Sequence, residues 1–537
     1  MASVNSVHIA LHTTTSTPHP HVLYVINVQL ENGKEYQVFR RYSQFIALWK
    51  RLASSFPLPP KRALSTSCIP SAWVNDELIE ERKKGFETYL THIIHDVCLR
   101  NHPEVVKFLS AGDYMPGECQ VAVGEKQQGH QEMSAKSSLG FLQYATLADE
   151  PEDKKRFIAA SYYPSWASDT NPPEKIDFSK FDILFYAFAT PSSNSGLDWE
   201  DGVQDTLKKL VSSVGESGQG TKIVLSVGGW SGSHWYSQTM STEENRSKFI
   251  QDLVTAVDSF GLDGIDIDWE YPNAAGSGNP HAPEDAANLL CFFKSLRKAL
   301  GDSKIISAAV TQLPWLGGNG EPLSDVSEYA KYMTYVNIMN YDVFSSSAHP
   351  GPNAPLGNFC GSTSQPKASA QGAFAEWTRA GMPADHLLLG LPLYGYVSKS
   401  TDKKLSTSTT ISPHQCYHAR NRVRTPKTTA PLGDLSHLWG QQISFGQMVA
   451  FGVLVKNDKG NYDSANGYTM AWDDCSDTPF VYNTSRKTVV TYDDTFSFES
   501  KTKFARASRM AGCFTWSLDQ DHDMALHNTM RHHLGRD

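Results

Sequence analysis

The segment from Gly261 to Pro272, GLDGIDIDWEYP, decides the fold. In an extended chain residues two apart share a face, so Asp266, Asp268 and Glu270 project one way and Ile265, Ile267 and Trp269 the other. Three carboxylates in one row, backed by an apolar row, fit a barrel strand whose outer face packs on helices and whose inner face looks into the interior. Like charges in a shared low-dielectric site raise one another's pKa, so one carboxyl keeps a proton near neutral pH while its neighbours hold the negative charge. Glu270 stands at the C-terminal end of the strand, where barrels place their chemistry, and takes the proton-donor role; Asp263 and Asp266 lie deeper. An acidic edge strand would not alternate so strictly with Ile and Trp, and an EF-hand calcium loop needs acids at other offsets around a central glycine.

Seven further short apolar strands surround this one: Phe157 to Tyr162, Ile183 to Ala189, Lys222 to Gly228, Lys304 to Thr311, Tyr335 to Tyr341, Leu387 to Tyr394 and Gly512 to Ser517. Amphipathic helical stretches separate them. Eight strand-plus-crossover units predict an α/β fold, a closed TIM (β/α)8 barrel over residues 155–537, because right-handed crossovers place the helices outside and the last strand beside the first. Residues 395–510 interrupt the alternation and read as an inserted α+β subdomain with a helical segment at GQQISFGQMVAFGVL.

Residues 1–112 follow another pattern. VHIALH, HVLYVINVQL and EYQVFRRY alternate as strands, with a hairpin turn at Glu31-Asn32-Gly33-Lys34. Helical spacing follows at Phe45, Leu48 and Leu52, breaks at Pro57-Leu58-Pro59-Pro60, and resumes from about Val74 through Phe86 and Ile93, giving a small α+β domain. Residues 113–154, rich in Gly, Gln, Glu, Lys and Ser, form a linker by composition. Charge divides along the same line: residues 1–112 hold 12 basic and 9 acidic side chains, the rest 36 basic and 48 acidic. With a net charge of −9 the whole chain offers no general basis for nucleic-acid binding. Its 8 cysteines contain no C-x-x-C pair, which argues against zinc or a redox dithiol and makes reduced thiols the default reading. No window approaches 18 uninterrupted apolar residues, and the first thirty lack the basic start and apolar run of a secretory signal, so a cytosolic or peripheral endosomal location is expected.

The carboxylate strand resembles the D-x-x-D-x-D-x-E signature of family 18 glycoside hydrolases, the retaining chitinases, with Asp263, Asp266, Asp268 and Glu270 at its acidic positions. KIVLSVGGW (Lys222 to Trp230) matches S-x-G-G, Met339-Asn340-Tyr341-Asp342 matches M-x-Y-D, and GCFTWSL (Gly512 to Leu518) matches the last strand with its tryptophan. The resemblance implies hydrolysis of β-1,4-linked N-acetylglucosamine polymers in which the 2-acetamido group of the substrate is the nucleophile, so neither cofactor nor metal is required. Glu270 would protonate the leaving oxygen and later activate water, Asp268 would orient the acetamido N–H, Asp266 would stabilise Asp268, and Tyr341 would donate to the acetamido oxygen with Asp342 beside it. Trp516 would floor the cleavage subsite, with Tyr162, Phe188, Trp230, Met339 and Tyr394 in the cleft, Asp263 below and Trp166 further out. Tyr492-Asp493-Asp494 in the insertion is expected to reach substrate. In contrast to many family members, Tyr396 follows Tyr394-Gly395 where a basic residue is usual, and Phe344 stands where related fungal sequences often show Trp. A chitin-binding lectin without turnover and an endo-β-N-acetylglucosaminidase acting on glycoproteins are the competing readings.

Residues 1–112 resemble a phox-homology (PX) domain, a reader of phosphoinositide headgroups, through Arg41, Tyr42, Ser43, Phe45, Pro59, Pro60, Lys61, Arg82, Gly85 and Phe86. On that resemblance Arg41 would hold the 3-phosphate, Tyr42 would pack under the inositol, Lys61 would meet the 1-phosphate and Arg82 the 4- and 5-hydroxyls, with phosphatidylinositol 3-phosphate as the expected membrane partner. Such a reader works on the cytosolic side of membranes, whereas chitin lies outside the cell. Unconventional export, a vesicle-bound enzyme, or the artificial joining of two genes would each reconcile the halves.

Overall fold

A computed structural model describes residues 4–15, 21–30, 34–41, 76–96, 99–100, 102–110, 156–406, 432–458 and 460–536, with positions 44, 45, 48, 49 and 52 between them. The chain divides into two compact units, Met1–Lys155 and Arg156–Asp537. The 113–154 linker falls outside the described residues.

In the amino-terminal unit, β1 (Val4–Thr15), β2 (His21–Leu30) and β3 (Glu35–Arg41) form an antiparallel sheet. The expected hairpin is present, with Gln29 opposite Glu35 and the Leu30 N–H donating to Lys34 O at 2.9 Å. Helix α1 (Asp76–His95) supplies Phe86, Tyr89, Leu90 and Ile93 to a core shared with Tyr24, Ile26, Val28, Val38 and Phe45. Phe45 stacks on Phe86 at 3.8 Å between centroids. Arg40 is buried and anchors α2 (Pro103–Phe108), its Nε donating to Phe108 O at 2.8 Å and its guanidinium lying 5.4 Å from the Phe108 ring.

The second unit is the closed parallel barrel. Its strands are β4 (Ile158–Pro164), β5 (Ile183–Pro191), β6 (Lys222–Gly228), β7 (Gly264–Asp268), β8 (Ile305–Val310), β9 (Tyr335–Ile338), β10 (Leu387–Pro392) and β11 (Gly512–Trp516). Each pairs with its sequence neighbour, and β11 returns to β4. All eight strands read from the sequence are present, several shortened at their ends. Pleat parity sorts the two faces: Ile265, Ile267 and Trp269 join the outer core under helices α3 (Val203–Ser217), α4 (Glu243–Phe260) and α5 (Asp285–Leu300), while Tyr162, Phe185, Val224, Leu388 and Phe514 fill the interior. Among the described residues no helix is long and apolar enough to cross a membrane.

After β10 the chain builds an antiparallel five-stranded sheet from Tyr394–Lys399, Gln442–Ser444, Thr488–Thr491, Thr478–Asn483 and Thr469–Asp473. The long helical segment expected at residues 440–454 is divided here. Gln442–Ser444 pairs with Tyr394–Tyr396, a Ser444–Gln447 capping box then starts a short helix at Phe445–Ala450, and Leu454–Lys456 is a strand again. Strand pairing overrode the apolar periodicity. The reading of uniformly reduced thiols is also corrected, because Cys360 and Cys475, 115 residues apart, form a disulfide with a Cα–Cα distance of 5.0 Å. It ties the segment following β9 to this inserted sheet; tertiary proximity, which spacing does not encode, brings the two cysteines together.

Candidate active site

The three carboxylates of β7 and its end differ in surroundings. Asp266 is fully buried and accepts four hydrogen bonds: from the Tyr162 hydroxyl at 2.9 Å, Ser226 Oγ at 2.7 Å, Ser307 Oγ at 2.7 Å and Asn337 Nδ2 at 3.2 Å. Burial pushes its pKa up, and the hydroxyl bonds pull it back. Asp268 is held well above the usual carboxylate range by burial first, then by the charges of Glu270 and Asp266. Its Oδ1 is buried and accepts no bond among the described residues, leaving an open acceptor. Glu270 is 7% exposed; burial pushes its pKa up to about 8, a hydrogen bond with Tyr271 working against the rise and the Asp342 charge adding to it.

The backbone around them is held by the residues that follow β6. The Gly229 N–H and Ser233 Oγ donate to Asp268 O at 2.8 and 3.2 Å, and the Glu270 N–H donates to Ser233 Oγ at 3.0 Å. Gly228 has φ +109°, and a Cβ there would sit 2.2 Å from Asp268 O, so the first glycine of the S-x-G-G motif is what lets the two strand ends approach.

Aromatic side chains cluster around the strand ends that carry the acids. Trp516 lies 5.3 Å from Tyr162 and 5.8 Å from Phe188, stacked on the latter, and Trp166 continues outward at 6.4 Å from Phe188. Tyr341 and Tyr394 are buried in the inner cluster, with Met339 packed against it. Trp230 meets Tyr271 edge-on at 6.4 Å. Asp342, at φ +57°, accepts from the hydroxyls of Tyr394 and Tyr396, each at 2.6 Å.

Two expectations are corrected. Asp263 does not reach substrate: it precedes β7 at the opposite end of the barrel, accepting from the Ile223 N–H at 2.9 Å and pairing with Lys222 at 2.9 Å. The D-x-x-D spacing places it off the strand, one residue before its start. Tyr492-Asp493-Asp494 is likewise structural: Asp493 is ion-paired with Lys501, both side chains fully buried, and Asp494 caps helix α6 (Thr495–Ala507) by accepting from the N–H groups of Phe496 and Ser497. The residues missed were Ser226, Ser307, Asn337 and Tyr271. The first three occupy inward positions of β6, β8 and β9, so the parity argument applied to β7 would have found them on the other strands.

In the amino-terminal unit Arg41 ends β3 and Arg82 is buried on α1. The side chain of Arg41, and Tyr42 and Lys61 altogether, fall outside the described residues.

A closed parallel barrel with paired acids at the C-terminal mouth and aromatic walls around them is the architecture of the barrel glycosidases. The model of the family "Glycosyl hydrolases family 18" matches residues 158–521, and that of the PX domain residues 28–111. A chitinase-like effector of Moniliophthora roreri is 34% identical over 390 residues, covering 72% of this chain and 95% of its own. Chitinase A1 of Niallia circulans is 28% identical, covering 64% of this chain and 46% of its own. The crystal structure of a Rhizomucor miehei chitinase superposes with a TM-score of 0.58 at 30% identity, covering 70% of this chain and 99% of that one. The chain therefore belongs to family 18 of the glycosyl hydrolases, and its amino-terminal unit carries a PX domain.

Proposed function

We propose that the barrel is a retaining chitinase that hydrolyses β-1,4-linked N-acetylglucosamine chains with the substrate's own acetamido group as nucleophile. One arrangement carries this reading: along a single strand end, Asp266 accepts four hydrogen bonds, Asp268 keeps an open buried oxygen, and Glu270 is buried beside Asp342 with its pKa pushed up. The open Asp268 oxygen suits an acetamido N–H, which would turn the amide oxygen toward the anomeric carbon. Glu270 protonates the leaving glycosidic oxygen as the C–O bond breaks and the amide oxygen–carbon bond forms. The same carboxylate then takes a proton from water, which opens the oxazolinium ion with net retention. Asp268, stabilised by Asp266, balances the positive charge that develops on the ring. No protein nucleophile is needed.

Chitin oligomers test the reading. Glu270→Gln should lose at least about a hundredfold in kcat while binding oligomers nearly as tightly as the parent, because the proton donor acts on the transition state more than on the ground state. Fully deacetylated oligomers should be poor substrates. Equal turnover of acetylated and deacetylated chains refutes substrate assistance, and tight binding by the parent without any turnover favours the lectin reading.

For the PX domain we infer phosphoinositide binding, with Arg41, Tyr42, Lys61 and Arg82 as headgroup residues and phosphatidylinositol 3-phosphate as the ligand. The family match and the presence of all four residue types support it.

A further inference from the structure

The inserted subdomain reaches the catalytic carboxylates through a short relay. Tyr396 is buried; its hydroxyl donates to Asp342 Oδ1 at 2.6 Å and accepts from Gln442 Nε2 at 3.0 Å. Gln442 stands directly opposite Tyr396 in the antiparallel pair that opens the inserted sheet. Tyr394 brings a second hydroxyl to the same Asp342 oxygen, also at 2.6 Å. Among the described residues no Lys, Arg or His is ion-paired with Asp342 or with the acids of β7; two neutral phenols do the work that a cation would otherwise do.

We propose that Tyr396 is a positioning residue that pins Asp342 beside the proton donor Glu270, and that Gln442 extends this control to the inserted subdomain. The inference rests on the hydrolytic reading above. Glu270 faces Asp268 and Tyr271 from its own strand end and Asp342 and Tyr341 from the end of β9. Tyr394 and Tyr396 face Asp342 from the start of the insertion; Tyr162 from β4 and Tyr236 from beyond β6 face Asp266 and Asp268. All of these groups are acids or phenols. A fixed anion favours the protonated form of a neighbouring carboxyl, and a cation in the place of Tyr396 would reverse that effect.

The test uses the full-length protein. Tyr396→Arg should move the alkaline limit of kcat/KM down by roughly half to one pH unit, the size expected for one added charge at a partly screened site. Tyr396→Phe should lower kcat roughly five- to twentyfold with KM changed less than threefold, since only the posture of Asp342 is lost. Gln442→Leu should shift kcat in the same direction by less. If the parent hydrolyses chitin oligomers and both Tyr396 variants keep its kcat and pH limit, or lose only thermal stability, the positioning role is wrong. If the parent does not hydrolyse them, the hydrolytic reading fails instead. The Glu270 carboxyl can then be titrated by 13C NMR, its signal assigned by its loss in Glu270→Gln, and an unmoved titration in Tyr396→Arg overturns the inference.

Discussion

Glu270 keeps its proton because water is excluded around it and Asp342 stands near, against the pull of a hydrogen bond with Tyr271. That proton has a consequence for stability as well as catalysis. The folded state binds it from the ordinary value of 4.5 up to about 8, so the stabilisation is fully present below pH 4.5 and is lost as pH rises through 8. Glu270→Gln cannot ionise. We expect it to raise the melting temperature by several degrees at pH 9 and by little at pH 5, measured by scanning calorimetry, while activity of the parent falls on the alkaline side through an apparent pKa near 8. An equal gain at both pH values would show that burial does not hold the proton.

Between β9 and α6, elements decide what single residues cannot. The Cys360–Cys475 bridge fastens the segment after β9, which contains Asp342, to the inserted sheet across 115 residues of chain. Cys360→Ser should lower stability by about 2–4 kcal/mol, because a long loop regains its freedom in the unfolded chain. Alkylation and intact-mass measurement of the native protein should leave this pair unmodified. Cytosolic thiols are kept reduced, so if the pair proves oxidised in protein isolated from its host, maturation outside the cytosol is favoured over the cytosolic or peripheral endosomal location expected from the sequence, and full alkylation of that protein favours the latter. Lys501 and Asp493 illustrate the other bond of this region: a pair so buried reads as architecture, since an unpartnered charge there would be costly.

At the scale of the whole molecule, a PX domain and a family 18 glycosyl hydrolase barrel share one chain. Full-length protein should sediment with vesicles containing phosphatidylinositol 3-phosphate and not with phosphatidylinositol alone, and Arg41→Ala should remove most of that selectivity. A generic basic face predicts a different pattern, in which phosphatidylserine substitutes, added salt abolishes binding, and Lys84→Ala matters as much as Arg41→Ala. Sedimentation at two ionic strengths separates the two.

The period of two in GLDGIDIDWEYP was enough to place Asp266, Asp268 and Glu270 on one inward row, and eight apolar segments at crossover spacing were enough for the barrel, because pleat and handedness are local properties of the chain. The hairpin of the amino-terminal sheet was equally legible from its turn. Asp263 was misplaced because a motif records spacing and not where a strand begins. The partners of Asp266, the open oxygen of Asp268, the two phenols on Asp342, the Cys360–Cys475 bridge and the buried Lys501–Asp493 pair were decided only in three dimensions. Each joins residues far apart in sequence, and both the dielectric that sets a carboxyl's proton and the distance that permits a bond exist only once the chain has closed around them.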